Sequence, residues 1–200
     1  GMQRYQIHIE GRPNPAVTPP MDQRQDALVA AAQIVLAVNR LATDPPGQRV
    51  ATVGSLKVWP NAANIVPGHV QTSLDVRDLN RGVINRLVSD LKQEMEAIAQ
   101  ATDTRITMLP QLDVAPSPAA QHIQATIEAV SEGLGYSSLP MPSRAGHDAL
   151  EMGRCTDMGM IFVPSEGGVS HSEIEYTTPE ECVRGANVLL ETLLRLDKQY

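Results

Sequence analysis

Across residues 4–109 the apolar side chains switch between a period of two and a period of three to four, and this succession dictates an order of elements before any packing is considered. Tyr5, Ile7 and Ile9 face one way while Arg4, Gln6, His8 and Glu10 face the other, which predicts a half-buried strand. After a Pro-rich turn, Leu28, Ala31, Val35, Val38 and Leu41 recur at helical spacing, so a helix is expected over 22–42, closed by Pro45, Pro46 and Gly47. Residues 50–58 and 69–77 alternate again as two strands, joined by a loop with turn residues at both ends. A second helix carries Ile84, Leu87, Val88, Leu91, Met95 and Ile98 on one stripe, with Asn80 or Asp78 as its N-cap, and a fourth strand follows at 105–109. Strand, helix, strand, strand, helix, strand is the split β-α-β, ferredoxin-like order: an antiparallel sheet with both helices on one face.

The pattern changes after Pro116-Ser117-Pro118. A helix is expected over 119–133, then a loop holding His147 and Asp148, a short helix over 149–153, a wholly apolar strand over 158–163, the His171 loop and a final helix. The apolar run reads as a strand buried on both faces, as in an α/β sheet. The last helix has Thr178 as N-cap, Pro179 in first position, Glu181 to complete a capping box, and Cys182, Ala186, Leu189, Leu193 and Leu196 as its inward stripe. About two strands and three helices are too few to close a core of their own. The fold class is therefore α+β, with a self-contained domain over 1–113 and an α/β segment over 114–200 that either packs on it or is the remnant of a larger domain.

Composition narrows the partners. The chain is 42% hydrophobic with a net charge of -7 and no run of Lys or Arg, which argues against nucleic acid or an anionic membrane as the main partner and leaves a small molecule or another protein. No apolar run approaches the roughly 18 residues of a membrane-spanning helix. Cys155 and Cys182 fit no CxxC pattern and read as reduced, buried residues of a cytoplasmic protein. The first strand begins with almost no lead-in, which reads as an abrupt start.

Four places could carry chemistry. His171 follows Gly167 and Gly168 and is flanked by Ser170 and Ser172, so the backbone can approach a bound group closely and hydroxyls can orient the imidazole as a metal ligand. The alternative is a loop histidine satisfied by Ser170 or the backbone, and one histidine falls short of the three protein ligands of a catalytic zinc. His147 and Asp148 form either an acid/base unit or a helix cap. Arg77, at a strand end, can clamp a carboxylate or pair with Asp75 or Asp78. Asn64 can hydrogen-bond a substrate or simply build its turn. His8, Glu10, His69 and His122 read as solvated surface.

Gly-His-Asp-Ala at 146–149, Pro-Ser-x-Gly-Gly-x-Ser-His-Ser at 164–172, Asn-Ile-Val-Pro-Gly at 64–68 and Leu-Asp-Val-Arg at 74–77 together resemble the hydantoinase/carbamoylase family of zinc amidases, in order and spacing. That family holds N-carbamoyl-L-amino acid hydrolases and allantoate amidohydrolases, within the larger superfamily of dinuclear-zinc aminoacylases and carboxypeptidases. The resemblance implies that residues 1–113 are the ferredoxin-like lid and dimerisation domain and that 114–200 are the C-terminal part of the catalytic domain. It assigns His171 to the last metal ligand, Arg77 to the substrate carboxylate, Asn64 and the Gly167-Gly168 turn to substrate contacts, and His147 and Asp148 to the border of the site.

Zinc or manganese is the metal this resemblance implies, a ureido compound the substrate, and a homodimer through the lid the assembly. Two departures bear on activity. The family's N-terminal segment, with the other ligands and the base glutamate, has no counterpart here, so this chain alone is expected to bind no metal and to be inactive. The family's lid motif Asn-His-Ala-Gly-Thr-Thr-Pro-Met reads Asn14-Pro15-Ala16-Val17-Thr18-Pro19-Pro20-Met21, with Pro15 where the oxyanion-stabilising histidine stands. Proline offers no hydrogen-bond donor. Two expectations follow: a piece of a metal-dependent amidohydrolase acting on N-carbamoyl amino acids or allantoate, or a non-catalytic dimerisation module derived from one.

Overall fold

Ile7 and Ile9 have no exposed surface, because the strand that carries them is hydrogen-bonded on both sides and covered by two helices. A computed structural model describes residues 1–44 and 46–198, in two compact units, Gly1–Pro116 and Ser117–Tyr200. In chain order the first unit runs β1 (Met2–Glu10), β2 (Asn14–Pro15), a 3-10 turn (Met21–Gln23), α1 (Ala27–Thr43), β3 (Val50–Thr52), β4 (Leu56–Trp59), β5 (Ile65–Val66), β6 (His69–Arg77), α2 (Arg81–Thr102) and β7 (Arg105–Val114). The main sheet is antiparallel, with β6 and β7 flanking β1, and β3 and β4 both paired to the far edge of β6.

The expected strand over 50–58 is thus two strands. Thr52 lies opposite Asp75 but Leu56 lies opposite Thr72, so one extra residue bulges out between them. There the Ser55 carbonyl accepts from the Thr72 hydroxyl at 2.6 Å, which satisfies a side chain only 1% exposed. On the other edge, β7 runs five residues beyond the expected 105–109. It contains Pro110, tolerated because an irregularity in register falls between Arg4 and Tyr5 of its partner.

α2 buries Ile84, Leu87, Val88, Leu91, Met95 and Ile98, the stripe its sequence predicts, and Asn80 rather than Asp78 caps it, accepting from the amides of Gly82 and Val83. α1 differs. It starts at Ala27 rather than 22, because the Asp26 carboxylate caps the amides of Leu28 and Val29. Its inward face is Ala27, Ala30, Ala31, Ile34, Ala37 and Val38, with small side chains that let the helix lie close to the sheet and α2. Leu28, Val35 and Leu41 sit at the margin of that face. The helix ends at Thr43, and the closing Pro45 lies outside the described residues.

The second unit contains α3 (Gln121–Gly133), α4 (Asp148–Met152), a 3-10 turn (Glu166–Gly168) and α5 (Pro179–Asp197). Three expectations fail in it. Residues 158–163 form no strand among the described residues: no neighbouring strand is present to accept their hydrogen bonds, and Phe162 is 50% exposed. They pack on the helices, with Gly159 against Ile123 of α3 and Val163 against Gly185 of α5, each so close that a Cβ on the glycine would come within 2.4 Å. α5 is capped by Thr178 as expected, but it buries Val188 and Thr192 and leaves Leu189 and Leu193 about half exposed. Cys155 and Cys182 are exposed, not buried.

On the face opposite the helices, Asp75 accepts from Arg4, directly across from it on β1, and from Arg77. Burial alone would push the Asp75 carboxyl up, but the hydrogen bonds and charges of Arg77 and Arg4 outweigh it and the net shift is down from the ordinary value of 3.8. A lowered folded value means the stabilisation is full above 3.8 and is lost as pH falls through the folded value. Asp75→Asn is expected to cost about 1 kcal/mol at pH 7, discounted because Arg4 is half exposed. The difference from wild type should vanish in strong acid, as urea melts across pH 7 to 2 would show. In the same assay Leu91→Ala should cost about 2–5 kcal/mol, whereas Leu189→Ala should stay within about 0.5.

Candidate functional site

Two clusters of predicted residues lie in the first unit. The short β2–β5 pairing sets Pro15 opposite Ile65, and the Ala16 amide donates to the Asn64 carbonyl at 2.9 Å. Gly68 makes this approach feasible, since a Cβ there would meet Pro13 Cδ at 2.5 Å. Arg24 then grips the turn, donating from Nη2 to the Ala16 carbonyl at 2.6 Å and from Nε to the Pro19 carbonyl at 3.2 Å. The Asn64 side chain is exposed beside this turn, so the structure brings Pro15 and Asn64 together. Nothing in the local sequence around Arg24 reveals the clamp except a basic residue just past a run of prolines, and its role was not expected.

Arg77 closes β6. Its guanidinium donates from Nε to Asp75 Oδ1 at 2.6 Å and from Nη2 to Oδ2 at 3.2 Å, so the side chain is held in a fixed direction, and these hydrogen bonds raise its already high pKa. The ion pair with Asp75, one of the two partners its sequence position offers, coexists with a side chain still 28% exposed. Arg77 and Asn64 are not brought together. Asn64 precedes β5 and the His69 end of β6, Arg77 closes the other end, and the eight residue steps from His69 to Arg77 span about 26 Å.

The remaining predicted residues lie in the second unit. His147 is half-buried, with Nε2 at 2.6 Å from Ser143 Oγ and its ring edge-on to Phe162, centroids 5.7 Å apart. Asp148 does not cap α4: His147 occupies the N-cap position and Asp148 is the first helical residue, exposed, where its charge faces the positive end of the helix dipole. Hydrogen bonds within the described residues tie His147 to Ser143 and not to Asp148, because neighbouring side chains diverge at a helix start.

Gly167 and Gly168 have φ of 62° and 69°, a left-handed pair that L side chains rarely adopt, and the space beside Gly168 is open. The turn is closed by Ser165 Oγ donating to the Val169 carbonyl at 2.5 Å and by the Glu166 amide donating to the Tyr176 carbonyl at 2.8 Å. His171 is also left-handed, with φ of 56°, and its amide donates to Glu175 Oε2 at 2.8 Å. Its Nδ1 lies 3.0 Å from Ser170 Oγ. With the proton on Nδ1 and shared with that hydroxyl, Nε2 presents a lone pair to solvent, the tautomer a metal ligand needs.

One such nitrogen does not make a metal centre. Among the described residues no three His, Cys, Asp or Glu side chains converge, whereas a catalytic zinc takes at least three protein ligands. The described residues by themselves therefore do not fit the dinuclear metal of the family that the motifs resemble.

Comparison with known proteins places the chain. The profile of peptidase family M20/M25/M40 matches residues 4–195. The chain is 36% identical over 188 residues to the N-carbamoyl-L-amino acid amidohydrolase of Geobacillus stearothermophilus, covering 94% of this chain and 46% of that protein. It is 33% identical over 196 residues to the allantoate amidohydrolase of Bacillus subtilis, covering 98% and 48%. The crystal structure of a hydantoinase/carbamoylase family amidase from Burkholderia multivorans aligns with a TM-score of 0.90 at 32% identity, over 97% of this chain and 47% of that one. The chain spans about half the length of these relatives. With its motifs, its α+β architecture and nearly its whole length aligned to such proteins, the chain belongs to peptidase family M20/M25/M40 and resembles its hydantoinase/carbamoylase amidohydrolases.

Proposed function

We propose that this chain is the lid and C-terminal portion of a metal-dependent amidohydrolase that cleaves C–N bonds of ureido substrates, N-carbamoyl-L-amino acids or allantoate. The observation that carries the reading is Arg77: a guanidinium fixed by Asp75 at a strand end, within the Leu-Asp-Val-Arg motif, in a chain aligned almost end to end with two enzymes of that kind. In this reading the first unit is the ferredoxin-like lid. Arg77 takes the substrate carboxylate in a bidentate grip, the Asn64 amide and the backbone of Gly167-Gly168 position the ureido group, and His171 Nε2 is one metal ligand. The other ligands and the general base come from residues outside this chain, which alone is inactive.

The distance along β6 supports a homodimer. β6 alone spans about 26 Å from His69, which Asn64 precedes, to Arg77, longer than one small substrate, so in this reading an Asn64 and an Arg77 that meet on it belong to two copies. A second reading, a dimerisation module without catalysis, draws on Pro15, which leaves the oxyanion without a donor where the resemblance puts a histidine.

Grafting an N-terminal segment with the remaining ligands, taken from the Geobacillus relative, and measuring ammonia release from N-carbamoyl-L-amino acids and allantoate tests the first reading. Turnover should appear, and Arg77→Ala should raise KM about ten- to a hundredfold. Pro15→His should raise kcat about a hundredfold or more. Absence of turnover in both the grafted chain and its Pro15→His variant would leave the module reading. Light scattering should give a dimer mass in either case, and a monomer at high concentration would overturn the assembly.

A further inference from the structure

We propose that His8 and His69 form a two-imidazole site for a divalent transition-metal ion on the outer face of the first unit's sheet. Sequence alone reads both as solvated surface: His8 and Glu10 share the polar face of a strand, but nothing nearby in the chain completes a ligand set. The pairing of β1 with β6 sets Glu10 opposite His69 and His8 opposite Gln71, which makes the two histidines diagonal neighbours on one face. Both are half-buried, and His8 Nδ1 lies 3.3 Å from His69 Nε2.

That separation matches a shared metal. Two nitrogens bound at about 2.0–2.1 Å to one tetrahedral zinc lie about 3.3–3.4 Å apart. The two rings lie within 8° of parallel, centroids 5.6 Å apart, and in the neutral pair one donates its N–H to the lone pair of the other. The metal takes that proton's place, the proton moves through solvent to the other nitrogen of the same ring so that both imidazoles stay neutral, and the rings rotate about their terminal torsions to aim both lone pairs at the ion. The backbone need not move, because β1 and β6 are the interior strands of the sheet. The Trp59 ring stacks on His69, centroids 4.8 Å apart and planes 24° apart, and restricts how far that imidazole can swing.

The groups around the pair suit a borderline-soft cation. Glu10, the next outward residue on β1 and directly across from His69, supplies a carboxylate charge and accepts from Arg105 Nε at 2.8 Å. Lys57 and Arg105 are the cations on the flanking strands, Lys57 opposite Gln71 and Arg105 opposite Glu10. Two imidazoles with water in the open positions select zinc, nickel or copper over magnesium and calcium, which prefer all-oxygen sets. The site uses no residue of the second unit, and it stands or falls independently of the amidohydrolase reading.

Trp59 is the only tryptophan of the chain, so its emission reports on this site. Titrating the full chain with Cu²⁺ should quench Trp59 saturably at one ion per chain, with a large excess of Zn²⁺, the weaker binder, reversing the quench and the same excess of Mg²⁺ leaving it. His8→Ala and His69→Ala should each weaken the quench at least about tenfold, the loss that removing even a supporting partner causes. His8→Gln should do the same with polarity retained, and His122→Ala, on α3 of the second unit, should leave the titration unchanged. An unaltered midpoint in the His8 and His69 variants, loss of quenching with His122→Ala alone, or no saturation below millimolar Cu²⁺ would overturn the site.

Discussion

The register of β1 is the constraint on which the rest of the first unit depends. It is paired on both sides, so each of its residues is committed to one face: Ile7 and Ile9 to the core beneath the helices, Arg4, His8 and Glu10 to the opposite side. A slip by one residue would bury those polar side chains and expose the isoleucines, so the buried face sets the register. The same commitment lines up the polar residues of β1 with those of β6. Arg4 meets Asp75, Asp75 meets Arg77, and His8 comes within reach of His69.

What could be read from the sequence was what each segment settles locally. The stripe of α2 is complete in its own spacing, and its cap is one of the two residues beside its start. α1 was harder because its inward face is mostly alanine, which carries little periodic signal, and larger residues such as Leu36 stand on the outer side. The bulge dividing β3 from β4 and the two-residue pairing of β2 with β5 depend on partners distant in sequence. In the second unit the apolar run 158–163 and the leucines of α5 suggested deep burial. The described residues offer no strand beside the run, and they cover α5 only along Val188 and Thr192.

The candidate site divides the same way. The individual motifs were legible, including the ion pair between Arg77 and Asp75, because both residues lie two apart on one strand. That Asn64 precedes one end of that strand and Arg77 closes the other follows once its length is known, and it alters what one copy can do. The relation of His8 to His69 follows only from pairing across strands, which no local pattern encodes. The left-handed backbone of Gly167, Gly168 and His171 was foreshadowed at the glycines alone.

The clamp that Arg24 places on the carbonyls of Ala16 and Pro19 gives the 14–21 turn its shape through the main chain. The side chains at 17 and 18 are exposed, Val17 at 95%. For an engineer the turn is a socket with a fixed rim: the chemistry displayed there can be rewritten by substitution while one arginine, several residues downstream, keeps the frame.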